Sequence, residues 1–279
     1  MAAFHSRSNS FPSQSHPVMD DVEDHLCRLK SSEAASTSAT SACANLASLR
    51  DLHEGINNLI QMASIQQALS NEQDENWINE LLEGSLRLVD LCGFSRDVVR
   101  LSKECIQDLE SSVRRHKGET ATLDMNAYVS SRKKINKMVS KCIKNLKSFN
   151  QNSTAVPDKD CDLKAIGTML KETEALAFSV LKSVLILMAG EKERSKQRSW
   201  SLFSKFTQTS RVHSEVQQGA DAEDLCSFTI FKSLKGDNLA LQNTLKASEM
   251  TIEKLDEGLE ALFRSLVKTR VSLLNVLSN

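Results

Sequence analysis

The chain has 279 residues, and its 35 basic and 36 acidic side chains leave a formal net charge of −1, which excludes a global field for binding nucleic acid. It has only three prolines, nine glycines, one tyrosine and two tryptophans, which disfavours strand-rich folds. The seven cysteines lack CxxC spacing, which is typical of a reduced intracellular protein whose cysteines pack as small core residues. We predict an all-α fold, an elongated antiparallel helical bundle behind a disordered N-terminal tail.

Residues 1–19 are rich in serine and poor in aliphatic side chains, which predicts a flexible tail. Arg7 precedes two serines, Ser8 and Ser10, and Pro12 follows them. A phosphorylated serine in this setting is the pattern that the arginine clusters of 14-3-3 proteins bind. We therefore predict Ser8 and Ser10 as phosphorylation sites, and Arg7, Ser10 and Pro12 as a docking tail. A plastid transit peptide and a tail that is only solvated are the open alternatives.

Residues 20–190 are predicted to form a helical bundle, because apolar side chains recur there at helical spacing in five segments. The predicted helices begin at Asp20 and then cover 42–69, 75–117, 124–149 and 162–190. Gly93 is a predicted kink or close-packing point in the third. The fifth is nearly apolar, so we place it in the centre of the core. His53, in the second, is predicted to be a surface or capping residue and not a metal ligand.

The helix predicted over 124–149 has the most uneven charge, since its basic residues begin at Arg132 and no acidic residue follows Asp124. On a helical wheel the apolar residues share one face, and most of the lysines lie opposite. We predict that this basic surface binds an acidic partner or an anionic membrane. Its candidate residues are Lys133, Lys137, Lys141 and Lys144. Two structural alternatives remain open. The lysines are only solvated, or they lie near the acidic start of the preceding long helix, namely Glu72, Asp74, Glu75, Glu80 and Glu83.

Residues 191–219 are predicted to form a basic surface loop rich in serine and threonine. Lys196 and Arg198 each precede a serine by three residues, which suits a basophilic kinase. The predicted phosphorylation sites are Ser199 and Ser201. Aromatic side chains lie beside this charge, at Trp200, Phe203 and Phe206. They could anchor the loop on a membrane or in a calmodulin-like groove, or simply pack it onto the bundle.

Residues 220–279 are predicted to be C-terminal helices packing on the bundle, a short one over 221–234 and then a long one. Along the long helix the spacing of apolar residues alternates between four and three, the a/d seam of a coiled-coil-like helix packed lengthwise on others. The seam residues are Leu245, Ile252, Leu255, Leu259, Leu262, Leu266 and Leu273, and Leu241, Ser248, Thr269 and Val276 complete the pattern. We predict that the seam packs against the helices over 75–149.

Motifs for catalysis and cofactor binding are missing. The sequence has no glycine-rich phosphate loop, and none of the six histidines has zincin or di-iron spacing. We therefore predict no catalytic, cofactor-binding or metal-ligating residue, and a protein that is not an enzyme. The most apolar segment, 175–189, is too short to span a membrane and contains Lys182. The predicted location is the cytoplasm, with a peripheral membrane position or a plastid as alternatives.

Three ordered segments carry a family resemblance. They are HSRSNSFP (5–12) with VEDHLCRL (22–29), QQAL (66–69) with ELLEGSLRLVD (80–90), and LDEGLE (255–260) with TRVSLLN (269–275). Together they resemble the plant-specific BYPASS-like family over essentially the whole chain. The resemblance implies a helical protein without established enzymatic activity that is linked to root and shoot development. We therefore predict a non-enzymatic regulatory or interaction protein, or alternatively a peripheral membrane protein bound through the basic helix and the aromatic-basic loop.

Overall fold

The computed structural model describes residues 17–33, 38–72, 74–115, 121–149, 161–190 and 238–277. Every regular element within these ranges is a helix, so the predicted all-α fold is confirmed. In chain order the helices are α1 (Pro17–Glu33), α2 (Ala39–Ile60), α3 (Ala63–Ser70), α4 (Glu75–Arg115), α5 (Ala121–Phe149), α6 (Cys161–Ala189) and α7 (Asn238–Leu277). The predicted long C-terminal helix is α7. The helix predicted over 221–234 lies outside the described residues.

The helix predicted over 42–69 is in fact two helices, α2 and α3. Between them Met62 has an extended backbone with φ −69° and ψ 134°. The N–H of Gln61 donates to the carbonyl oxygen of Asn57 at 3.3 Å, which closes the last turn of α2. The apolar pattern nevertheless continues across the break, because Ile65 and Leu69 of α3 are buried in the same core. Periodicity alone therefore could not reveal the break.

α4 begins after Asp74, whose side chain accepts hydrogen bonds from the N–H groups of Asn76 (3.0 Å) and Trp77 (3.2 Å) and so caps the helix. The helix is then continuous to Arg115 and passes through Gly93. A Cβ atom on Gly93 would meet the ring of Phe263 at 3.8 Å, an ordinary van der Waals distance. The prediction that Gly93 is a close-packing point is therefore wrong.

α7 packs lengthwise against α2 and α4, and all eleven positions of its seam are buried, so the predicted seam is confirmed. Its packing partners were predicted only in part. α4 covers one side of the seam as expected, but α2 covers the other side in place of α5. α5 has a single apolar face, and this face packs against α4 and α6. α2 approaches α7 closely, since Leu46 lies only 3.3 Å from where a Cβ on Gly258 would be.

Polar side chains cross between α4 and α7 at regular intervals. The contacts are Arg96–Glu260, Arg100–Asp256 (3.3 Å), Lys103–Glu253 (3.2 Å) and Gln107–Glu249 (2.7 Å). Each step along α4 is matched by an equal step backwards along α7, as an antiparallel pair requires. Arg96 also lies over the ring of Phe263, 4.8 Å from its centre. The more exposed ion pairs, Arg100–Asp256 and Lys103–Glu253, contribute roughly 0–1 kcal/mol each, so they fix the register of the two helices more than their stability.

α6 contacts each of the helices α1 to α5, which confirms the prediction that it is central. Its last residue is Ala189, and Gly190 follows with a φ of 70°, the left-handed conformation that favours glycine at the end of a helix. Among the described residues, α6 is therefore the helix around which the earlier five are arranged, while α7 closes the side formed by α2 and α4.

Candidate functional site

Exposed lysines follow one another along the outer side of α5. We call them the lysine face: Lys133, Lys134, Lys137, Lys141 and Lys144. The opposite side of α5 is in the core, where Tyr128, Ile135 and Val139 are buried. None of the five lysines makes an ion pair or hydrogen bond with another described residue. The sequence prediction that these cations share an exposed surface is therefore correct in its geometry.

Several of the acidic residues at the start of α4, which as a structural alternative were predicted to lie near the lysine face, have partners elsewhere. Asp74 caps α4, and Glu72 accepts a hydrogen bond from the backbone N–H of Asp74 at 2.7 Å. Glu80 lies 3.8 Å from Lys171 of α6. None of the five lysines of the lysine face forms an ion pair with a described acidic residue, so this group does not pair with them. A face that is only solvated remains open.

Arg132 is adjacent to the lysine face in sequence but is buried, with 5% of its surface exposed. Its guanidinium donates to Ser102 Oγ of α4 at 3.0 Å and to the carbonyl oxygen of Met188 near the end of α6. The last carbonyl groups of a helix have no partner within it, and a cation there also interacts favourably with the helix dipole. Arg132 therefore joins three helices. Its helical spacing from Tyr128 and Ile135 is the sequence signal that places it on the buried face.

We expect Arg132→Ala to lower the free energy of unfolding by about 1–3 kcal/mol, because the Met188 carbonyl would stay buried without its donor. The matched control is Lys133→Ala at the adjacent exposed position, which should change stability by less than about 0.5 kcal/mol. Urea denaturation followed by circular dichroism measures both. Equal denaturation midpoints for the two variants would contradict the role of Arg132.

An apolar groove of about 430 Å³ lies beside the lysine face, between α4 and α5. We call it the α4–α5 groove. Its apolar lining consists of Leu91 and Phe94 from α4, Met138, Cys142 and Leu146 from α5, and Phe178 from α6. Its polar lining is Arg87, Asp90, Lys141 and Asn145. The sequence prediction missed this groove because three helices form it, and periodicity does not give their relative positions.

Two kinds of site are not found in the residues that the structure describes. No group of His, Cys, Asp and Glu side chains there is arranged to hold a metal ion. None of the described helices combines the length and the apolar character needed to cross a membrane.

A model of the protein family described as Protein BPS1 matches residues 45–276, a range that extends from α2 to α7. The chain belongs to the BPS1 family. The resemblance to the BYPASS-like family is thereby confirmed. Two of the three segments that carried the resemblance lie within the matched range, and the segments at 5–12 and 22–29 precede it. Searches among curated proteins and among solved structures found no match.

Inside the range matched by the BPS1 family model, polar groups meet at the junction of α2, α4, α6 and α7. His53 is buried there, 4% exposed, so its prediction as a surface or capping residue is wrong. It lines a cavity of about 30 Å³ together with Thr173, Glu174 and Thr269. Burial lowers the pKa of His53 to about 4, and neither ring nitrogen has a hydrogen-bond partner among the described residues. Burial raises the pKa of Glu174, against the lowering effect of Arg87 at 3.5 Å.

The prediction that the cysteines pack as small core residues is confirmed in part, because Cys92 is buried and Cys105 and Cys142 are half-buried. Burial raises the pKa of Cys92 to about 12, and it also raises the pKa values of Cys105 and Cys142. Such thiols are poor nucleophiles at neutral pH. Cys27, in contrast, is exposed on α1.

Several predicted site residues lie outside the described residues. They are the tail residues Arg7, Ser8, Ser10 and Pro12, and the loop residues Ser199, Trp200, Ser201, Phe203 and Phe206. Their proposed roles stay predictions.

Proposed function

We propose that this BPS1-family chain is a non-enzymatic regulatory protein of plant root and shoot development that acts by binding partners. Membership of the family supports the developmental part of the proposal. The observation that supports a binding role is the lysine face, whose five exposed cations have no acidic partner among the described residues. Phosphorylated Ser10 is proposed as a separate docking point for 14-3-3 proteins.

The lysine face is unfavourable for the isolated chain, which is why it favours an external partner. Lys133 and Lys137 are four residues apart on one helix, as are Lys137 and Lys141, and like charges at this spacing repel by roughly 0.2–0.5 kcal/mol per pair. Stability of the bundle therefore does not account for the cluster. An acidic protein surface would neutralise these charges on binding and would also accelerate association by electrostatic steering.

We expect the triple variant Lys137→Glu, Lys141→Glu and Lys144→Glu to lose partners that the unmodified chain captures from root tissue. Each captured partner is identified by mass spectrometry and its binding repeated with purified proteins at increasing salt, since exposed charge interactions are screened.

The control makes the same three reversals at exposed lysines of α7, with the substitutions Lys246→Glu, Lys254→Glu and Lys268→Glu. Net charge then changes equally in both variants. Partners retained by the α7 variant and lost from the α5 variant would support the proposal. Equal partner lists for all three proteins would refute it.

A peripheral membrane role is the second candidate, because Met138 is 41% exposed directly beside the lysines. Each lysine near an anionic surface contributes about 1 kcal/mol to membrane binding at moderate ionic strength. Cosedimentation with phosphatidylserine vesicles tests it with the same pair of variants. Binding at low salt that only the α5 reversals abolish would support this role. No binding at low salt would exclude it.

A further inference from the structure

We infer that the α4–α5 groove is a binding site for a single-chain anionic amphiphile, such as a fatty acid. The acyl chain would lie on the apolar lining, and the anionic head group would pair with Lys141. This inference goes beyond the proposed function and does not depend on it, because it needs one small ligand and not a macromolecular partner.

The floor and walls of the groove are suited to a hydrocarbon chain. Phe94 and Phe178 contribute aromatic rings from two different helices, and Leu91 and Leu146 contribute aliphatic side chains. The volume of about 430 Å³ lies within the range of roughly 300–1,000 Å³ that is typical of small-molecule sites. Met138 is 41% exposed at this position, so apolar surface remains in contact with water. A hydrocarbon chain in the groove would remove that surface from water.

The charges around the groove select an anionic head group and place it on the α5 side. Arg87 is engaged with Glu174 of α6 at 3.5 Å. Lys141 is exposed and forms no ion pair or hydrogen bond with a described acidic residue, so its ammonium group is available to a ligand. Asp90 is the carboxylate in the lining, and it repels an anion from the α4 side. The remaining lysines of the lysine face raise the positive potential around Lys141.

The size of the site favours a small amphiphile over an acidic amphipathic helix. A helix-in-groove complex uses anchor residues over several helical turns. Among the α5 side chains that the structure describes, the last of which is Leu146, the lining residues extend from Met138 to Leu146, which is little more than two turns. A helical peptide is therefore kept as the competing outcome of the experiment.

The experiment titrates the full chain with dodecanoate, kept below its micelle concentration and followed by calorimetry and native mass spectrometry. Dodecanol has the same chain without charge, and butyrate has the same head group with almost no chain. We expect one dodecanoate per chain, roughly tenfold weaker binding of dodecanol, as for loss of one charge-assisted hydrogen bond, and no binding of butyrate. Dodecanol binding as tightly as dodecanoate would overturn the inference.

Two variants separate the groove from the general positive field. Lys141→Gln should weaken dodecanoate binding roughly tenfold, whereas Lys133→Gln, on the same helix but outside the groove lining, should leave it within about twofold. Replacing Lys137 and Lys144 together by glutamine, which removes their charges without adding an acidic partner for Lys141, should weaken dodecanoate binding less than Lys141→Gln does. Equal losses in Lys141→Gln and Lys133→Gln would mean that a diffuse field holds the anion, which would refute the site.

A measurement on the unmodified chain avoids any folding defect. Cys142 lines the groove and Cys27 is exposed on α1, so each can be followed by thiol alkylation and peptide mass spectrometry at mildly alkaline pH. We expect dodecanoate to slow the alkylation of Cys142 and to leave Cys27 unaffected. Slowing of Cys142 by an acidic helical peptide but not by dodecanoate would overturn the inference in favour of the peptide. Equal rates at Cys142 with and without dodecanoate would also overturn it.

Discussion

Leu259→Ala is expected to lower the free energy of unfolding by about 2–5 kcal/mol, the cost of removing a fully buried leucine side chain from a packed core. Leu259 has no exposed surface and lies on the seam of α7 between α2 and α4. The Cys92 thiol of α4 donates to the Leu259 carbonyl oxygen at 3.6 Å, which shows how closely the two helices approach. Relaxation of two long helices around one missing side chain is limited, so most of the cavity should remain.

The control for Leu259→Ala is Met250→Ala on the same helix, where 54% of the methionine is exposed. Both variants receive an alanine, so helix propensity acts similarly in the two, and Met250→Ala should change stability by less than about 0.5 kcal/mol. Urea denaturation gives both values. A denaturation midpoint unchanged by Leu259→Ala would show that the seam does not hold α7 on the bundle.

The second large effect is a loss of stability in mild acid that depends on His53. Its pKa is 6.5 in an unfolded chain and about 4 in the folded one, where burial disfavours the charged imidazolium. Between these values the unfolded chain binds a proton that the folded chain does not, so a fall in pH favours unfolding. Above pH 6.5 the protonation of His53 does not affect the free energy of unfolding. As the pH falls from 6.5 to about 4, this protonation lowers the free energy of unfolding by about 3 kcal/mol.

His53→Leu is expected to flatten this part of the pH profile and to be at least as stable at pH 7, because neither ring nitrogen has a hydrogen bond to lose within the described part of the chain. Denaturation at a series of pH values, with the variant subtracted from the parent, measures the effect. Glu174, which lines the same cavity, is present in both proteins, so its titration cancels in the difference. If the free energy of unfolding depended on pH in the same way in His53→Leu and in the parent chain, the loss of stability in mild acid could not be assigned to His53.

Helical spacing was sufficient to predict the buried side of α7 and most of the buried side of α5. Along α7 every a/d position is in the core, including the polar Ser248 and Thr269. The hydroxyl of Thr269 donates to the carbonyl oxygen of Ser265 at 3.1 Å, which makes a polar side chain acceptable on the seam. On α5 the same reasoning correctly separated the exposed lysines from the core. These features depend on one helix at a time, so a single sequence contains them.

Features that depend on several helices could not be predicted in this way. Arg132 is a cation whose burial requires the end of α6 beside it, and His53 is enclosed by three other helices. The choice of α2 over α5 as a partner for α7 depends on which apolar face remains uncovered after the others have packed. The α4–α5 groove likewise exists only because three helices leave space between them. Periodicity identifies the apolar faces but not the assembly that buries them.

The position of α7 has a consequence for synthesis of the chain. Ser70 donates to the carbonyl oxygen of Val276, 206 residues later, so the end of α3 meets the end of α7. A ribosome completes α2 and α4 well before it reaches α7, and until then their apolar faces lack the helix that covers them. Such surfaces attract chaperones and neighbouring nascent chains. A message truncated between α6 and α7 would therefore yield an aggregation-prone product, not a smaller working protein.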